Sequence, residues 1–149
     1  MKLRIYIDTS VFSACFDERA PDRKTLTEEF WESRSLYDCS TSALGVEELN
    51  QTADSQLRAK MHSLLAGMNV IAVAEEMENL AEKYILTGVF TGTMYNDAVH
   101  VAAATLSGQD VLVSWNFRHL VNRRRRAMIC DLNLAERLRA IEIMSPPEL

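Results

Sequence analysis

From Leu3 to Ile7 apolar residues fill alternate positions, Leu3, Ile5 and Ile7 against Arg4 and Tyr6, the two-residue period that predicts a buried strand. The run stops at Asp8-Thr9-Ser10, so an acid stands at the strand's carboxyl end. Leu26 and Phe30, four apart beside Trp31, predict an amphipathic helix, and a short second strand follows around Tyr37 to Ser40. Thr41 or Ser42 would cap a helix that carries Leu44, Glu48 and Leu49. Leu57, Met61, Leu64, Leu65 and Met68 form one apolar helical stripe, the most regular in the chain. A strand near Val70 to Val73 leads to a helix in which Met77, Leu80, Tyr84 and Ile85 share a face, with Gly88 placed to end it. Thr87 to Thr93 reads as a mobile loop, Asn96 to Leu106 as an Ala-rich helix, and Val111 to Val113 as a further strand. Leu134, Leu138 and Ile141 repeat at helical spacing before a last short segment, Ile141 to Met144, which Pro146-Pro147 terminates.

Strands separated by helical segments predict an α/β fold in three layers, with a central, mostly parallel sheet flanked by helices. Sites in such sheets form beyond the strand carboxyl ends. Asp8, Ser42 with the helix behind it, and Ser114-Trp115-Asn116 should therefore collect along one edge. No repeat or linker interrupts the 149 residues, which predicts one domain over 1–149.

Composition narrows the picture. A hydrophobic fraction of 48% with 25% charged residues suits a packed core, and a net charge of −5 means that any nucleic-acid contact must come from a local basic patch. Cys15, Cys39 and Cys130 are scattered, without the spacing of a zinc site or a disulfide framework. Reduced thiols and the absence of any long apolar stretch predict a cytoplasmic protein away from membranes.

The chemistry concentrates in acids beside predicted core: Asp8, the pair Glu47-Glu48, and Asp97. Gathering carboxylates is unfavourable, since two unit charges ~4 Å apart repel by roughly 4 kcal/mol at an effective dielectric of ~20. A divalent cation offsets that repulsion, and oxygen-only ligands select Mg²⁺ or Mn²⁺. Metal-assisted phosphodiester hydrolysis is the reaction such a site supports. Taken singly, Asp8 could equally cap a helix, Glu48 could be a solvated helix residue, and Asp97 could favour a helix amino end. No GxGxxG or Walker loop follows any predicted strand, which argues against a nucleotide-binding domain.

At these positions the chain resembles the PIN-domain family, which includes ribonuclease toxins of toxin-antitoxin pairs. The resemblance rests on Tyr6-Ile7-Asp8-Thr9-Ser10-Val11-Phe12, on Ser42 followed six residues later by Glu48-Leu49, on Asp97-Ala98-x-His100-x-Ala102, and on Val111 through Phe117. It implies a parallel sheet flanked by helices and an endoribonuclease that uses Mg²⁺ or Mn²⁺ held by Asp8, Glu48 and Asp97. It also implies a cognate antitoxin as partner, with a homodimer as a further expectation. Glu47 would then be a surface residue or stand behind the ligands. Family members often carry a fourth acid in the segment matching Ser114 to His119, where this chain has none; Asn116 would assist through its amide oxygen. That departure motivates the alternative of a catalytically weak or inactive RNA- or protein-binding module.

Arg118 and the run Arg123-Arg124-Arg125-Arg126 form the one concentrated positive segment. Ser114, Arg118, Arg123 and Arg124 are the candidates for RNA contact, against the plain alternative of a solvated helix face. His100 reads as a packed residue with a hydrogen-bond partner, not a ligand. Trp31 reads as core, and Trp115 either as a base-stacking residue at the site or as a wedge between loop and sheet.

Overall fold

The computed structural model describes residues 1–149. Five parallel strands form one sheet in the order β3-β2-β1-β4-β5: β1 (Leu3–Ile7), β2 (Tyr37–Ser42), β3 (Asn69–Ile71), β4 (Val111–Val113) and β5 (Glu142–Met144). The chain winds outward from β1 to β3, then returns across β1 to β4, so the direction of winding reverses between β1 and β4. That reversal opens a crevice at the strand carboxyl ends.

Alternation across the central strands sorts the core into two layers. Tyr6, Leu112 and Ile143 face α5 (Glu75–Leu86), α6 (Tyr95–Leu106) and α7 (Arg123–Ala135). Ile5, Ile7, Val111 and Val113 face α1 (Thr9–Ala14), α2 (Pro21–Glu32), α3 (Ala43–Asn50) and α4 (Ser55–Ser63). Helix α6 is the most deeply embedded, with every residue from Ala98 to Thr105 buried. Its alanines allow close approach to the sheet and to α5.

Several elements depart from the expectations, each for a physical reason. Tyr6 is fully buried while Leu3 is 40% exposed, because β1 is a central strand covered on both faces only toward its carboxyl end. The helix predicted through Met68 stops at Ser63. Beyond it the chain tightens into turns, with Leu64 N–H donating to Met61 and Met68 N–H to Leu65, and Gly67 at φ +76° redirects it into β3. Leu64, Leu65 and Met68 still pack against the second core, which explains their periodicity without a helix. The final helix lies earlier than Leu134, Leu138 and Ile141 suggested. Asn122 caps α7 by accepting from Arg125 N–H at 2.8 Å, so the arginine run is its first turn, and Arg137 at φ 58° ends it. The 87–93 segment is anchored, not mobile: Val89 and Phe90 are buried, and Val89 N–H donates to the Tyr84 carbonyl at 2.8 Å.

Two stability predictions follow from this packing. A Cβ on Gly45 would lie 2.5 Å from Thr41 Oγ1, which donates to the Ile7 carbonyl at 3.1 Å. Gly45→Ala should therefore cost about 1–3 kcal/mol by urea denaturation, whereas Gly92→Ala, with open space around it, should cost far less. The buried Tyr84 hydroxyl donates to Asn133 Oδ1 at 2.5 Å, and burial pushes its pKa up to about 12. The folded state thus holds a proton that the unfolded chain releases near 10, so stability should fall as pH rises from about 10 to 12. Tyr84→Phe should remove that slope and lower stability at neutral pH by about 1–3 kcal/mol, measured by denaturation at stepped pH.

Candidate functional site

The crevice at the carboxyl edge is a cleft of about 420 Å³ whose walls include Asp8, Ser10, Glu48, Asp97 and Asn116. Asp8 leaves β1 at the reversal point and occupies the N-cap position of α1, yet its side chain makes no cap hydrogen bond. Its Oδ2 instead accepts from Ser114 Oγ at 2.8 Å and from Ser10 Oγ at 2.7 Å. The carboxylate is 4% exposed as a residue and held from two strand ends, with Oδ1 free of hydrogen bonds. The simple capping reading of Asp8 therefore fails.

Glu48 arrives from α3. Ser42 ends β2 and caps α3, accepting from Gly45 N–H at 3.2 Å, and the close approach of Gly45 to Thr41 sets how α3 leaves the sheet. Glu48 Oε1 pairs with His100 Nε2, and the other ring nitrogen of His100 lies 2.6 Å from the Tyr6 hydroxyl, itself 2.6 Å from Ser42 Oγ. His100 Nε2 is also 3.9 Å from Asp8 Oδ1. Burial by itself would drive the imidazole pKa down. The Tyr6 oxygen, the bond to Glu48 and the charges of Asp8 and Glu48 outweigh it and hold His100 well above the usual histidine range. Glu48, His100, Tyr6 and Ser42 form one buried hydrogen-bonded chain. His100 is thus a buried partner of an acid, as its packed setting in sequence suggested. Tyr6 and Ser42 as members of one buried polar chain were not foreseen, since the buried reading of β1 assigned Tyr6 no partner. Glu47 is exposed and does not line this cleft.

Asp97 sits in the first turn of α6, where the helix amino end favours negative charge. Its Oδ2 pairs with His119 Nδ1 at 2.9 Å. Burial pushes its pKa up; the His119 hydrogen bond opposes that shift and the Asp8 charge adds to it. Asn116 lines the cleft, but its Oδ1 accepts from His119 N–H at 2.9 Å, so the amide oxygen closes the turn that places His119 against Asp97. An aspartate at 116 could close that turn with one oxygen and offer the second to the cleft. Asparagine has an N–H₂ donor instead.

The donor chemistry of the cleft suits a hard divalent cation: each acid is anchored through one oxygen, Asp8 Oδ2, Glu48 Oε1 and Asp97 Oδ2, and keeps the other uncommitted. With the side chains arranged as they are, no three acidic, histidine or cysteine groups close on one point. Holding an ion would therefore require the free oxygens to be drawn together.

The other candidates separate. Ser114 is fully buried, and its hydroxyl both donates to Asp8 and accepts from Asn116 N–H, so it positions the acid and presents nothing to a substrate. Trp115 is buried, its Nε1 donating to Thr27 Oγ1 at 2.8 Å: it wedges the loop against α2 and is not a base-stacking surface. Trp31 is core, donating to the Val11 carbonyl. The arginine run divides by helical geometry. Arg126 turns to the Ile143 carbonyl and Glu148, and Arg125 packs 4.9 Å over the Phe90 ring and donates to the Val89 carbonyl. Arg123 and Arg124 are exposed, as is Arg118.

The sequence matches no model of a known protein family and no functionally characterised protein. Among solved structures, the chain superimposes on VapC20 of Mycobacterium tuberculosis, described as a Sarcin-Ricin loop cleaving toxin, with a TM-score of 0.61 and 17% identity, covering 77% of this chain and 92% of that one. It also resembles VapBC2 of Rickettsia felis, solved with a promoter DNA fragment, at TM-score 0.59 and 12% identity over 96% of this chain and 98% of that one. VapBC-1 of nontypeable Haemophilus influenzae aligns at TM-score 0.58 and 17% identity over 97% and 99%. Identities this low carry the architecture and not the activity: the chain has the PIN-domain fold of VapC toxins.

Proposed function

We propose that the chain is a metal-dependent endoribonuclease, with Asp8, Glu48 and Asp97 as ligands of Mg²⁺ or Mn²⁺. The observation that carries this reading is the convergence of three carboxylates, from β1, α3 and α6, on one cleft at the point where the sheet's winding reverses. The likeness in fold to a toxin described as cleaving the Sarcin-Ricin loop supports it. When bound, the ion would polarise the phosphodiester and lower the pKa of an attacking water. The chain's own residues fix the geometry. Ser10 and Ser114 hold Asp8, His100 with Tyr6 behind it holds Glu48, and His119, set by Asn116, holds Asp97. Arg118, Arg123 and Arg124 are the exposed cations available to the RNA backbone. Because two of the similar structures are VapBC assemblies, we further propose a small antitoxin as the natural partner, covering the acidic cleft.

The competing reading is a PIN-like binding module without catalysis, favoured by the amide at position 116. Cleavage of mixed RNA with and without Mg²⁺, together with Mn²⁺ calorimetry, separates the two. On the nuclease reading, chelation abolishes cleavage, Mn²⁺ restores it, and Asp8→Asn and Asp97→Asn each reduce the rate at least about a hundredfold, as loss of an electrostatic group in an active site does. Asp97→Asn keeps the acceptor for His119 and removes a charge that burial disfavours, so its thermal midpoint should match or exceed the wild type's. No Mn²⁺ heat dependent on Asp8 and Asp97, with no cleavage under any metal, would establish the module instead. Asn116→Asp should tighten Mn²⁺ binding in the same calorimetric titration. Unchanged or weaker binding would mean that position 116 does not face the ion.

A further inference from the structure

Beside the acidic cleft lies a second one of about 520 Å³, lined by Gly88, Thr91, Phe117, Arg118, Asn122, Arg124, Arg125 and Met128. In a chain of net charge −5 this lining holds three arginines and no acid. Arg126 is committed to Glu148, but no carboxylate pairs with Arg118, Arg124 or Arg125. Arg125 is fixed by Phe90 and the Val89 carbonyl, and its guanidinium pKa is lowered by burial and by the neighbouring Arg124 charge. The Asp97 charge offsets this only in part and no carboxylate forms an ion pair in the cleft, the condition under which bound phosphate is favoured.

Asn116 lines the acidic cleft and Phe117 the basic one, so the chain passes from one lining to the other at a 116–117 ridge. Phe117 is 47% exposed, an unusual place for a large apolar ring, and is braced by Trp115, edge-on at 6.0 Å, and by Arg23 at 5.9 Å. Trp115 is in turn pinned to Thr27. A rigidly supported exposed ring beside unpaired arginines has the composition of a nucleotide-binding surface, where a base stacks and its phosphates meet guanidinium groups.

We propose that Phe117 is the platform for an unpaired base of the substrate and that Arg118 and Arg124 hold the adjoining phosphates, so that the strand crosses the 116–117 ridge into the acidic cleft. This rests on the nuclease reading for its purpose, but it is a statement about binding and is testable without cleavage. Stacking on Phe117 requires a base freed from pairing, so the surface selects single-stranded segments over continuous duplex. Arg125 shapes the cleft floor, and Arg123 lies outside the lining.

The test is equilibrium binding by fluorescence anisotropy in EDTA, using a short unstructured oligoribonucleotide, the same strand in a duplex, and an acidic peptide of matched charge. The wild type should bind the single strand at least tenfold more tightly than the duplex. Phe117→Ala should weaken single-strand binding about five- to a hundredfold with its salt dependence unchanged, and Phe117→Tyr should restore it. Arg118→Gln with Arg124→Gln should lower the slope of log affinity against log salt by about 1.4, the value for two phosphates on a single strand. Quenching of a 2-aminopurine base in the bound strand should disappear in Phe117→Ala. Equal affinity of Phe117→Ala and wild type, equal binding of duplex and single strand, an unchanged salt slope, or binding of the acidic peptide in preference to RNA would each overturn the proposal. Binding as described, with no cleavage when Mn²⁺ is added, would overturn the nuclease reading alone.

Discussion

A carboxylate that is nearly excluded from water must be supplied with hydrogen-bond donors, and in this molecule that requirement, at Asp8, organises everything at the sheet's carboxyl edge. Two hydroxyls meet it, Ser10 from the start of α1 and Ser114 from the end of β4. Ser10 Oγ also accepts from Trp115 N–H at 2.9 Å, so satisfying the acid ties the chain after β4 to the chain after β1. Once that segment is fixed, Trp115 is delivered to α2, Asn116 to the turn that sets His119, and Phe117 to the surface. The location of the ridge between the two clefts is therefore a consequence of solvating one buried charge.

The second organising feature is that two of the three acids face imidazoles. His100 and His119 differ in kind. His100 is fully enclosed and linked through Tyr6 to Ser42, so it joins the central strand, the cap of α3 and the middle of α6 in one polar chain through the first core. His119 is partly open, and its position depends on a turn in a loop. Glu48 is accordingly held by a rigid interior and Asp97 by a surface segment. Buried networks of this type specify geometry strongly because every unsatisfied member is costly.

The layout of the sheet was legible because alternation in β1 and the apolar run of β4 are set by backbone geometry. The acids at the strand ends were legible for the same reason. What the sequence hid depends on contacts between distant residues. Tyr6 sits out of phase with Ile5 and Ile7 on the other face of a central strand, and its partners His100 and Ser42 lie far off in sequence, so nothing local showed its role. Leu64 to Met68 and Leu138 to Ile141 repeat at helical spacing but lie in turns and extended chain that happen to cover the core. The arginine run read as one patch, whereas its position in the first turn of α7 divides it: Arg124 and Arg125 line the basic cleft, Arg126 turns to Ile143 and Glu148, and Arg123 lies outside. Phe117 carried no signal, since its exposure follows from Trp115 turning inward, which in turn follows from Thr27, eighty-eight positions away in sequence.

The contact of Gly45 with Thr41 has an evolutionary consequence. Glu48 stands one turn beyond that glycine, so its place in the cleft is governed by a residue that has no side chain and could take part in no reaction. A lineage under weak selection for catalysis could accept a methyl group there, shift α3 outward and retain the sheet, both cores and all three acids in its sequence. Such a descendant would look competent by its motifs and be silent in practice. Activity and architecture in this fold can thus drift apart through a position that a search for conserved acids would pass over.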